Sequence, residues 1–109
     1  MHVIEGRAAL IYFTETGNPR AIRFLGKSSP SDSLFCRTEH ATYHTVVVLT
    51  ENFVFHETVQ GPFQPNDTEY APWAPREEDA PAVSAYREVL ARLVEESLRP
   101  GCPWKAAVL

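Results

Sequence analysis

Between Ala8 and Phe13 the chain reads AALIYF, six residues with no polar side to turn toward solvent. Successive side chains on a strand point to opposite faces, so this run needs cover above and below. It reads as a central strand of a sheet. The rest of the chain must supply both covers, and that requirement constrains the fold more than any other feature.

The neighbours of this strand are legible in turn chemistry. TGNP at Thr16 to Pro19 is a turn signal, and AIRFLGK from Ala21 to Lys27 reads as the returning strand of a hairpin. A second β signal is TYHTVVVLTENFVFHETVQ, where Thr42–Thr50 and Phe53–Gln60 flank Glu51-Asn52. Read as a two-residue turn, this pair sets Thr50 opposite Phe53, Val48 opposite Phe55 and Val46 opposite Glu57. Both faces of that hairpin carry apolar side chains, so it too wants cover. The segment from Pro30 to His40 reads equally as a short helix started by Ser29 and Asp32 or as an extended connection, because no periodic face develops.

One long helix is expected near residues 80–99. Asp79 supplies a cap, Pro81 sits where a missing N–H is harmless, and Pro100-Gly101 stops it. Val83, Tyr86, Val89, Leu90, Leu93, Val94 and Ser97 form its buried stripe. Between the second hairpin and this helix, residues 61–81 carry five prolines with Phe63, Tyr70 and Trp73, the pattern of an ordered loop with aromatic anchors. The sum is a single α+β domain over 1–109: an antiparallel sheet of about four to five strands in two hairpins, one C-terminal helix on one face, and a long Pro-rich loop before it.

Function is less legible. CRTEHATYH places Cys36, His40 and His44 at four-residue intervals, which suggests a metal site only if the backbone is helical. On a strand, four residues advance about 13 Å and the side chains do not converge. A two-residue hairpin turn also sends His44 and His56 to opposite faces, so no metal ligand set and no cofactor are expected. No Gly-rich phosphate loop, nucleophile elbow or H-E-x-x-H helix is present, and no catalytic residue is assigned. Arg20, Arg23 and Lys27 beside Phe24 form a small basic and aromatic group on one strand. Against a net charge of −4 this is weak support for nucleic-acid binding, which is not expected.

No apolar run reaches the roughly 18 residues of a membrane span, and MHVIEGR lacks the pattern of a secretory leader. Two cysteines are too few for a disulfide framework. A cytoplasmic protein with no membrane partner is expected. The preferred reading is a non-enzymatic accessory or inhibitor-type binding protein acting through protein–protein association, with a homodimer as the first expectation because one helix covers only one layer. The alternative is a small-ligand protein or enzyme with a pocket between sheet and loop. Under either reading the candidate binding residues are Tyr43, His44, His56, Glu57, Phe63, Tyr70 and Trp73.

Overall fold

The strand expected at the centre is there: β2 (Ala8–Phe13) has all six residues buried. The computed structural model describes residues 1–38, 42–59, 61, 69–102 and 104. Around β2 it places β1 (His2–Glu5), β3 (Pro19–Leu25), β4 (His44–Val48), β5 (Val54–His56) and the helix α1 (Ala80–Ser97). Two antiparallel sheets, ordered β3-β2-β4 and β1-β5, and one C-terminal helix make an α+β fold.

The first hairpin forms as the turn chemistry requires. Ile11 faces Ile22 and Ala8 faces Leu25, and the Thr14 N–H closes the turn on the Asn18 carbonyl at 2.9 Å. Gly17 holds φ of 95° there, a conformation open to glycine at little cost.

The second hairpin does not form. β4 pairs with β2, and β5 pairs with β1: Val48 lies opposite Ala8, and Phe55 lies opposite Val3. A type I′ hairpin turn needs positive φ at both central residues, and no residue other than glycine has one among the described residues. Glu51-Asn52 therefore bends the chain without reversing it. The span 44–56 runs antiparallel to 2–13 as one broken strand beside another.

The breaks in the two strands coincide. Gly6, at φ 88°, sits so close under the Asn52 carbonyl that a side chain there would collide with it. Thr50 Oγ1 accepts the Arg7 N–H at 3.0 Å and donates to the Asn52 carbonyl at 2.7 Å, satisfying backbone groups that the ladder leaves behind. The segment after β3 breaks at the same level. It is extended, not helical: Leu25 bridges Ser33, His2 bridges Phe35, and the Cys36 N–H reaches the Met1 carbonyl at 2.9 Å. Asp32 does not cap a helix. It receives Arg7 Nε and Nη2 at 3.0–3.2 Å and the backbone N–H of Ser28 and Ser29, which ties this turn to the corner.

The bend gives β2 its second cover. On one face Ala9, Ile11, Phe13 and Phe24 pack with Leu90 and Val94 of α1. On the other, Leu10, Tyr12, Ala21 and Leu25 pack with Val3 and Cys36 from the folded-over half. Burying a side chain such as Ile11 or Leu10 stabilises by about 1.5–3 kcal/mol, so both layers contribute comparably. The need for a second chain to cover β2 is thereby removed.

The helix follows its expected bounds closely. Asp79 accepts the Ala82 N–H at 3.1 Å, and Leu90, Val94 and Ser97 are buried, with the Ser97 hydroxyl bonded to the Val94 carbonyl at 2.6 Å. Val89 departs from the expected stripe and is 43% exposed.

Candidate functional site

The seven candidate residues do not share one place. Tyr43 is half-buried on the helix side of the sheet, edge-on to Trp73 at 5.8 Å, and its hydroxyl donates to Glu69 at 3.3 Å. Trp73 also stacks near Phe13 at 5.1 Å and Tyr86 at 6.4 Å. The two form a docking point for the chain before α1 rather than an open pocket wall. Tyr70 is 82% exposed, and Phe63 lies outside the described residues.

His44 follows Tyr43 on β4 and therefore faces the other way. It is exposed and lies beside Tyr12, ring centroids 6.0 Å apart. His56 closes β5 at the opposite end of the same broken strand, directly across from His2, and Glu57 is exposed beyond it. Among the described residues, no group of three His, Cys, Asp or Glu side chains is placed to hold a metal ion. The pairing of Cys36 with His40 lies outside the described residues.

A different constellation assembles on the face away from the helix. The Tyr12 hydroxyl is 3.2 Å from Thr38 Oγ1 and 3.5 Å from Cys36 Sγ. Tyr12 sits between Ala21 of β3 and His44 of β4, and Arg23 flanks Leu10 one row along on the same face. Burial pushes the Tyr12 hydroxyl above its ordinary pKa, while the bond to Thr38 and the charge of Arg23 pull against that rise. His44 Nδ1 lies 2.7 Å from the Thr42 carbonyl, which only accepts, so Nδ1 carries the proton and Nε2 is the free ring nitrogen. Two hydroxyls and an imidazole therefore gather around Tyr12, with Arg23 one row along on the same face of the sheet.

Sequence reading missed Tyr12 and Thr38 because neither belongs to a motif. Only the β2–β4 register sets Tyr12 beside His44, and only the extended run after Ser33 brings Cys36 and Thr38 over it. Cys36 is buried beside the Tyr12 hydroxyl, and among the described residues no histidine bonds to it, so the nucleophile pair that its sequence position suggests is not assembled with His44. The basic and aromatic group on β3 is also divided: Phe24 faces the helix with the Arg7 guanidinium 4.7 Å above its ring, and Arg23 faces the other side.

Compared with known protein families, curated proteins and solved structures, the chain matches none.

Proposed function

We propose that the protein is a small non-enzymatic binding protein that associates through the β4–β5 edge, with a second copy of the chain as partner. The observation that carries this reading is the contrast between the two outer edges. β3 is guarded by Pro19, which lacks an N–H, and by exposed Arg20, devices that discourage further strands. β4 reads HTVVV with neither proline nor cation, and among the described residues it pairs with β2 alone. Val48, Leu49, Val54, Phe55 and Val59 are exposed along that strip, which concentrates apolar surface on the unguarded side. Twofold pairing of equivalent strands satisfies the edge N–H and carbonyl groups and covers these side chains at once.

Cytoplasmic residence belongs to the same proposal: Cys36 and Cys102 are free thiols, as a reducing compartment favours. No helix among the described residues is long and apolar enough to cross a membrane. Sedimentation velocity at micromolar concentration tests the association. A mass of twice 12.3 kDa is expected. A strictly monomeric mass across the concentration range would overturn it.

A further inference from the structure

Two cationic side chains among the described residues are half-buried, Arg7 and Arg23. Their situations differ. Arg7 is held by both oxygens of Asp32 and covers the Phe24 ring. Among the described residues Arg23 has neither hydrogen-bond acceptor nor ion-pair partner. A guanidinium partly withdrawn from water without an acceptor is costly, and its planar fork of donors matches the two oxygens of a carboxylate or phosphate.

The surroundings of Arg23 fit an incoming anion. It belongs to the face shared by Leu10, Tyr12 and Ala21, on which Thr38 and His44 are exposed. The Tyr12 and Thr38 hydroxyls bond to each other at 3.2 Å, and with Tyr12 as donor of that bond the proton of exposed Thr38 is left to donate to a ligand, while Cys36 Sγ lies 3.5 Å from Tyr12. His44 is fixed through Nδ1 to Thr42, which leaves Nε2 for a further contact. Among the described residues no salt bridge joins a carboxylate to this group.

We propose that Arg23, with Tyr12, Thr38 and His44, binds a small oxyanion, a carboxylate or a phosphate. Arg23 takes two of its oxygens, the free hydroxyl proton takes a third contact, and His44 Nε2 meets a hydroxyl or a protonated oxygen of the same ligand. The site does not require the proposed association: Arg23 lies on β3, across β2 from the proposed interface, and its shift reads the site apart from His44, which lies on β4 itself.

The test is a titration of the intact chain with inorganic phosphate and, separately, with acetate, followed by NMR at the Arg23 Nε–H and the His44 ring. Saturable shifts at both residues are expected with at least one of the two anions, and the anion that saturates assigns the class. Arg23→Gln should weaken binding at least about tenfold, the loss of one charge-assisted contact. Arg23→Lys, which keeps the charge but not the fork, should bind with intermediate strength and serves as the readout if the glutamine variant does not fold. Arg20→Gln, altering an exposed arginine of the same strand, should change nothing. Shifts that grow linearly without saturation, or equal weakening by Arg20→Gln and Arg23→Gln, would overturn the proposal in favour of general charge screening.

Discussion

The indole N–H of Trp73 donates to the Glu15 carbonyl at 2.8 Å, joining the segment before the helix to the turn of the β2–β3 hairpin 58 residues earlier. The ring lies against Gly17 so closely that a β-carbon there would come within 2.9 Å of it. Glycine at this turn thus serves both its positive φ and the seat of the tryptophan. Trp73→Ala should cost about 2–3 kcal/mol, less than the roughly 3–5 of a fully buried aromatic because Trp73 is only partly buried. Urea midpoints measure the loss, and acrylamide quenching should find Trp73 partly shielded. An unchanged midpoint would mean that this contact adds no stability.

The corner makes a second expectation. Thr50→Val keeps the shape but removes the acceptor of the Arg7 N–H and the donor to Asn52, leaving both backbone groups to water or to nothing. A loss of about 1–2 kcal/mol follows. Faster amide exchange should appear at Arg7 while the helix amides keep their protection. Uniformly faster exchange would instead mark global destabilisation with no local role for the hydroxyl.

Acid should find the corner through Asp32. Hydrogen bonding to Arg7 holds this carboxyl below its ordinary pKa, with the Ser28 and Ser29 N–H groups adding to the effect against burial. A carboxyl depressed in the folded state contributes stability that is present above its unfolded pKa and lost as pH falls through the folded value. Denaturant midpoints should therefore drop below about pH 4, at the ordinary carboxyl value of 3.8 and beneath it. Asp32→Asn should remove part of that acid slope and cost about 2–3 kcal/mol at neutral pH, since Arg7 loses its partner. An identical acid limb in the variant would show that other carboxylates carry it.

Charge placed on the open edge should separate association from folding. Val48→Lys and Val54→Lys change side chains that are 51% and 42% exposed, so each should leave the melting temperature nearly unchanged. Both should shift the sedimentation coefficient to that of the monomer, as lysine does on guarded edges. Variants that remain dimeric would place the interface elsewhere on the molecule.

How far the sequence reveals this arrangement depends on what each residue pattern can carry. The AALIYF run and the Asp79-capped stripe of Leu90, Val94 and Ser97 announce themselves, because burial on both faces or on one stripe is written in side-chain order. Partner choice is not. Val46 to Val48 and Val54-Phe55 have apolar character on both sides, so alternation cannot say whether β4 pairs with β5 or with β2, and Glu51-Asn52 resembles a turn in composition. The deciding residues are Gly6 and Thr50, whose roles exist only once the two strands lie together. The polar cluster is hidden for the same reason: Tyr12 comes beside His44, and Arg23 onto their shared face, only through the register of three strands, and neither Tyr12 nor Thr38 is marked by spacing.

The coincident breaks also govern the order in which the chain can organise itself. The β2–β3 ladder is closed by neighbours in sequence, but Ala8 waits for Val48 and His2 waits for His56. Ladders that close over such separations form slowly, because the loop must be ordered before contacts repay it. During synthesis the hairpin therefore emerges with one edge of β2 unpaired until residues some forty positions further on arrive, and with its Ala9, Ile11 and Phe13 face bare until α1, some eighty on, has followed.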